Sequence, residues 1–435
     1  MMPLDTVETC VSARRAFGGD GYCRQTPATL SDLLAALPEI GCHLGGDPSD
    51  WLIAEISDGN MNLVFAASGP NGSVVVKQAL PFIRVIGESW PFPLERIRFE
   101  HETLQIYARL VPGRVPRVLY YDPELAIIVM EHLTPHLVLR QGLVDGRIFP
   151  LFANHIGSFL ARTLFFTSDF FLSTRDKRQL MARFEGNEEL CATTEDVIFT
   201  GPYAAVSLNR WTTPYLDSAV AAIRADHELK LAAAELKLML RTSTEAMIHG
   251  DLHTGSLMVS EADTRIIDSE WARYGPMGFD LGAVFGNLLL AYFSQPGHAT
   301  GYNDRISYQE WLLATIEEIW ETFEAGLRCL VIEHSGELFP SEPFNQSSIA
   351  ASLINSRLRA ILSDTIGFAG AKMIRRIIGI SHVEDMETIC EPSVRAQCEA
   401  KALSLARSMM IKRRACRDIR ALAAAARSAL TGNAI

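Results

Sequence analysis

The chain has 435 residues, 48% of them apolar, with a formal net charge of −11 and a pI near 5.5. That length suits one large two-lobed unit or two to three domains. The acidic balance argues against a nucleic-acid binder, yet it leaves phosphate ligands open, because a local pocket can oppose the global charge. The eight cysteines are scattered, with no C-x-x-C pair and no zinc spacing, so they read as reduced thiols. The N-terminal "MMPLDTVETCVSARR" has no apolar core of the signal-peptide kind. The longest apolar run, "LGAVFGNLLLAYF", is too short to span a bilayer. A cytoplasmic protein without membrane spans is expected.

Residues 1–45 read as a helical lead-in, with "LSDLLAALPEIG" periodic and stopping at Gly41. Three β-rich runs follow, "WLIAEI", "MNLVFAA" and "SVVVKQAL", split by the turns "SDGN" and "SGPNG". They predict sequential antiparallel strands. A helix is expected over 94–110, then two strands, "RVLYY" and "LAIIVMEHL", joined by "DPE". Beyond residue 133 the chain turns helical, with candidate helices at 150–167, 215–242, 279–294, 308–330, 347–370 and 394–430. Two short strand-and-loop stretches interrupt them, "AMIHGDLHTGSLMV" and "TRIIDSEWARYGPMGFDLG". The expected class is α+β and bilobal: a small β-rich lobe over 1–132, a mostly helical lobe over 133–435, and a cleft between them.

The chemistry-bearing residues come in a definite order. Gly59 tips the turn "SDGNMN", where bare backbone N–H groups can approach phosphate. Lys77 stands late in an apolar strand and needs an acid. Glu100 and Glu102 on the next helix point about 200° apart, so only one can face it. Glu131, His132 and Leu133 lead from the last strand into the helical lobe, where backbone groups could meet an adenine edge. Asp251 sits in the loop "HGDLHTGS". Seventeen residues later come Asp268 and Glu270, which alternation in an extended segment would turn to one side, a pairing suited to Mg²⁺. Glycine turn, strand lysine, helix glutamate, hinge, loop aspartate and metal acid are, in that order, the components of kinase phosphoryl transfer.

With these residues the chain resembles the protein-kinase-like small-molecule kinases, such as the aminoglycoside and choline kinases. The blocks "DGNMNLVF", "VVKQALPFIRVIGESWP", "IHGDLHTGS", "YGPMGFDLGAVFGNLLL" and "IRRIIGISHVED" are similar to the 5-methylthioribose kinases. The resemblance implies ATP-dependent phosphorylation of S-methyl-5-thioribose at O1, in methionine salvage, by a homodimer. It makes Asp251 the catalytic carboxylate, Lys77 the phosphate lysine and Asn60 and Asn62 the glycine-loop asparagines. Glu131 to Leu133 become the adenine hinge, and Asp268, Ser269 and Glu270 the acidic segment at the nucleotide and metal, with Ser269 where the family has proline. Arg375 and Arg376 in "KMIRRIIG" are implied at the substrate, one of them offsetting phosphoryl charge, and Trp90 in "GESWP" in a loop closing over the site. His249 and His253 are expected to position the catalytic loop, and Asp280 to cap the helix after it.

From spacing alone, protein kinases place a metal-binding asparagine five residues after the catalytic aspartate. Here that position is Ser256, and Glu270 is expected to supply the missing ligand. Three other readings stay open at this point: a kinase of another sugar or amino alcohol, a catalytically inactive nucleotide-binding module, and a metal hydrolase built on His249 and His253. The last needs a third ligand, and Gly250 disfavours a helix holding the two histidines.

Overall fold

A computed structural model describes residues 21–56, 61–84, 87–334 and 347–432. It divides into two compact units, one running to Ala108 and resuming over Val115–Thr134, the other comprising Arg109–Arg114 and everything from Pro135.

In the first unit, helices α1 (Pro27–Ala35) and α2 (Pro38–Leu44) precede a five-stranded sheet. The expected single lead-in helix is broken at Pro38, which cannot donate into a preceding turn. The second helix runs past Gly41 and ends at Gly45, whose φ of 68° the missing side chain permits. Strands β1 (Leu52–Glu55), β2 (Asn62–Ser68), β3 (Ser73–Ala79), β4 (Val118–Asp122) and β5 (Ile127–Glu131) form an antiparallel sheet in the order β1-β2-β3-β5-β4. The three sequential strands and the pair after them stand where the turn residues put them. Helix α3 (Arg96–Leu110) separates β3 from β4.

Alternation along β3 decides what each face meets. Val74 and Val76 enter a core with Leu30, Leu34, Leu44, Phe65 and Val129, so α1 and α2 cover that face. Val75 and Ala79 pack on the other side with Ile97 of α3. Lys77 belongs to this second set by its period, and Glu100 stands one helical turn beyond Ile97 on α3.

In the second unit, β6 (Leu137–Val138), β8 (Leu257–Val259) and β9 (Thr264–Ile266) form one small sheet, and β7 (Ala246–Ile248) pairs with β10 (Arg273–Gly275) in another. The helices are α4 (Leu139–Val144), α5 (Phe152–Phe166), α6 (Thr174–Ala182), α7 (Glu188–Phe199), α8 (Asp217–Ala225), α9 (His227–Thr242), α10 (Gly278–His298), α11 (Ile306–Glu333), α12 (Ser347–Ile378), α13 (Glu384–Glu387), α14 (Pro392–Lys412) and α15 (Ile419–Thr431). Two expected long helices are each split. Asp226 ends α8 and its carboxylate caps α9 through the Leu229 N–H. Asp418 likewise caps α15 after a short 3₁₀ turn. In both cases a local side-chain bond to backbone outcompetes helix continuation.

Helices α10 and α12 approach closely. Gly278, Gly282 and Gly286 stand four apart along α10; a Cβ on Gly282 would come within 2.7 Å of the Phe368 side chain and 2.9 Å of the Thr365 carbonyl. The sequence reading ended α12 at residue 370; it continues to Ile378 and carries Lys372, Arg375 and Arg376 on one face at i, i+3 and i+4.

Candidate active site

The loop from His249 to Ser256 joins β7 to β8, and residues 267–272 join β9 to β10. Several bonds fasten the two together. His249 Nε2 lies 2.9 Å from the Ile267 carbonyl, and the Ile267 N–H donates to the Ser256 carbonyl at 3.0 Å. The Asp251 N–H donates to His249 Nδ1 at 3.3 Å, which makes the other ring nitrogen the donor. Gly250 has φ +85°, and a Cβ there would stand 2.1 Å from the Trp271 carbonyl, so only glycine lets the segments touch. His249 therefore ties the two segments together.

Asp280 departs from expectation. It lies in the first turn of α10 instead of capping it, and its carboxylate accepts from the His249 N–H at 2.6 Å and the Gly250 N–H at 3.0 Å. Burial pushes its pKa up, with His249 and these bonds opposing. The acidic segment also differs. Asp268 has φ +66°, so it sits in a left-handed turn and not in an extended run. The alternation that would turn Asp268 and Glu270 to one side does not apply. Glu270 is buried while Asp268 is half-buried. Asn187, which the sequence did not single out, donates to the carbonyls of Glu270 and Ala272 at 3.2 and 2.9 Å and braces this turn. The Ser269 hydroxyl is buried with no hydrogen-bond partner among the described residues, so it adds no bond to the turn.

Both oxygens of Asp251 are held. Lys372 Nζ lies 3.1 Å from Oδ1 and His253 Nε2 3.3 Å from Oδ2. The Gly255 N–H donates to His253 Nδ1 at 2.9 Å, leaving Nε2 to donate to the carboxylate. Burial would raise the Asp251 pKa, but Lys372, His253 and Arg376 outweigh it and hold the carboxyl well below the usual range. Burial drives His253 down to about 4, against the pull of Asp251, so the ring stays neutral near pH 7. Ser256 donates to the Asp251 carbonyl at 2.9 Å and serves the loop's own backbone. Arg376 is buried, with Nη1 2.7 Å from the Ser381 carbonyl. Arg375 is half-buried beside it, and the Nε of each guanidinium is buried without a hydrogen-bond partner.

In the first unit, Lys77 Nζ lies 2.6 Å from Glu100 Oε2, both side chains buried. Glu102 instead pairs with Arg98. Glu131 closes β5 and accepts the Arg117 N–H at 3.0 Å, the His132 ring meets Ser73 Oγ at 2.9 Å, and Leu133 is buried. Asn62 is not a loop residue: it opens β2 in register with Ala79, and its carboxamide oxygen accepts from Arg96 at 3.2 and 2.9 Å. Trp90 is half-buried in a turn held by the Trp90 N–H on the Gly87 carbonyl. Gly59 and Asn60 lie outside the described residues.

A family model described as "Phosphotransferase enzyme family" matches residues 53–319. Methylthioribose kinase 1 of Oryza sativa subsp. japonica is 44% identical over 91% of this chain and 93% of its own. Methylthioribose kinase of Escherichia coli O45:K1 is 42% identical over 91% and 95%. The chain belongs to this phosphotransferase family.

Its fold is the α+β fold of the protein-kinase-like kinases, and it is a small-molecule kinase. Membership accounts for the invested structure around Asp251, a half-buried carboxylate held by two nitrogen donors and braced through its loop by Asp280. The residue that sequence reading missed in this kinase is Lys372. The signal was present: "GFAGAKMIRRIIG" is an apolar helical run in which a lysine sits one turn before the two arginines already singled out. Among the described residues no helix is long and apolar enough to cross a membrane.

Proposed function

We propose that this kinase transfers the γ-phosphoryl group of ATP to O1 of S-methyl-5-thioribose, giving the 1-phosphate of methionine salvage. The similarity to methylthioribose kinases over nine-tenths of the chain carries this reading. Asp251 orients the acceptor hydroxyl and takes its proton late in the transfer, as a carboxylate of low basicity must. Lys77, aligned by Glu100, takes ATP phosphates; Glu131, His132 and Leu133 take the adenine edge; Gly59 and Asn60 belong to the phosphate turn, with Asn62 anchoring its far end. Arg375 and Arg376 offset charge on the transferring group.

The donor set of Asp268 and Glu270 fits Mg²⁺, a hard cation that binds through one or two carboxylates with phosphate oxygens completing the shell. Among the described residues no group of three or more His, Cys, Asp or Glu side chains is assembled for a metal, so the remaining ligands would be phosphate and water. When bound, the ion neutralises charge on the phosphates. A homodimer in the cytoplasm is part of the same proposal, and sedimentation of the purified chain tests the dimer.

Substrate preference is the direct test. The methylthio group is apolar, and burying it contributes roughly 1–3 kcal/mol, about 10–200-fold over a sugar lacking it. Ribose would bring a hydroxyl that such a pocket strips of water without a partner. Competing the two sugars with ATP and measuring both 1-phosphates should give a kcat/KM ratio in that range. Trp90→Ala should lower the ratio, whereas Arg375→Ala or Arg376→Ala should lower kcat for both sugars alike. A parental ratio near one would overturn the thio-sugar assignment.

A further inference from the structure

Lys372 is the most deeply invested charge around Asp251. It is 2% exposed, its one hydrogen bond among the described residues goes to Asp251 Oδ1 at 3.1 Å, and its ammonium stands 4.5 Å over the Phe279 ring. Burying a lysine in an apolar wall is costly unless its charge is used. The fold takes trouble to put it there: the glycine stripe on α10 admits α12, and α10 also supplies Phe279 under the ammonium and Asp280 behind the loop.

The surroundings are densely charged. Lys372, Arg375, Arg376 and Arg140 are gathered near the half-buried carboxylate of Asp251 and the buried one of Asp385, with Glu384 pairing Arg140 and Asp280 behind the loop. Arg140 stands 3.4 Å from His253 Nδ1 and 3.6 Å from Asp385 Oδ2. These cations, opposed by Asp251, Asp385, Asp280 and Glu384, are the groups an anionic visitor would meet. They also create a conflict, because a bare Asp251 carboxylate would repel that same anion.

We infer that Lys372 is the positioning residue for Asp251: it fixes Oδ1, cancels the carboxylate charge toward the incoming phosphoryl group, and turns Oδ2, whose second lone pair is not used by His253, to the acceptor hydroxyl. This rests on the kinase reading above. In the step it serves, the acceptor oxygen forms a bond to the γ-phosphorus, the bond from that phosphorus to the β–γ bridging oxygen breaks, and ADP leaves with that electron pair. The hydroxyl proton passes to Asp251 and then to solvent. Lys372 keeps its own protons throughout.

The ammonium's surroundings give this a pH signature. Asp251 and His253 face it from the loop, Asp280 and Phe279 from α10, and Arg375 and Arg376 from α12. Burial lowers the Lys372 pKa to about 8, with Asp251 opposing and the two arginines adding to the drop. The charged form is therefore present below that value and lost as pH rises through it.

The experiment compares the parent enzyme with Lys372→Met and Lys372→Arg, reading kcat/KM for ADP release with ATP and methylthioribose from acid to alkaline pH. The parent should lose activity as pH passes about 8. Lys372→Arg should keep most activity and lose that alkaline limb, since a guanidinium stays charged. Lys372→Met should fall about 10²-fold, the scale of a misplaced catalytic group, and its acid limb should move up as Asp251 loses its partner. Circular dichroism checks folding; if the methionine variant is unfolded, the arginine variant decides alone. An arginine variant with the parent's alkaline limb, or a folded methionine variant within twofold of the parent, overturns the inference. If the parent phosphorylates a different acceptor, the substrate reading fails, and the same profiles run with that acceptor still test Lys372.

Discussion

Asp251→Asn should cost about 10²–10⁴-fold in kcat, the range for loss of a general base. The substitution keeps the shape, but the amide nitrogen can only donate, and both neighbours already donate: Lys372 at 3.1 Å and His253 at 3.3 Å. One of those contacts must turn repulsive, and the buried ammonium loses its counter-charge. A stability loss of about 1–3 kcal/mol should accompany the kinetic one. Single-turnover rates well below the melting transition separate the two effects. If kcat stays near the parental value there, Asp251 is not the catalytic carboxylate, and the assignment of the whole loop goes with it.

Glu270→Gln should raise the Mg²⁺ concentration needed for half-maximal rate by about 10–100-fold, on the scale seen when a metal site loses a supporting carboxylate. Ser256→Ala should leave it almost unchanged. The structure sharpens this contrast. The Ser256 hydroxyl is occupied with the Asp251 carbonyl at 2.9 Å, so it has its own task inside the loop. Glu270 sits in a turn braced by Asn187, a rigid place for a ligand. A Mg²⁺ titration of each variant at saturating ATP gives the comparison. The reverse ordering would return the second metal ligand to the loop that carries Asp251.

Much of the fold was legible because its signals are local. Turn residues in "SGPNG" and "DPE" stand between strands that pair as expected, and period two in "SVVVKQAL" already turned Lys77 away from Val74 and Val76. What sequence could not show was decided by competition or by distance. Pro38, Asp226 and Asp418 each start a new helix where periodicity alone would have continued the old one. The extended geometry assumed for Asp268 failed because a positive φ leaves only a weak trace in residue type when the residue is not glycine, even for an aspartate. Asp280 looked like a cap because it stands at a helix start, but its partners are about thirty residues back along the chain. Lys372 lies 121 residues from Asp251, and no spacing rule connects them. Local pattern gave the elements, and long-range pairing gave the chemistry.

The Asp280 carboxylate fastens the amides of His249 and Gly250 to the first turn of α10. Those two hydrogens sit in a connecting segment, where exchange with solvent is ordinarily fast. Here they can leave only when the bond to the helix opens, and that helix is buried along most of its length. Their deuterium exchange should therefore track the slow opening of α10 and not the fast fluctuations of a loop. Asp280→Asn, which keeps one accepting oxygen and turns the other into a nitrogen that can only donate, should release both amides early while the helix amides keep their protection. The loop that holds the acceptor thus belongs, on the timescale of exchange, to the most protected part of its unit.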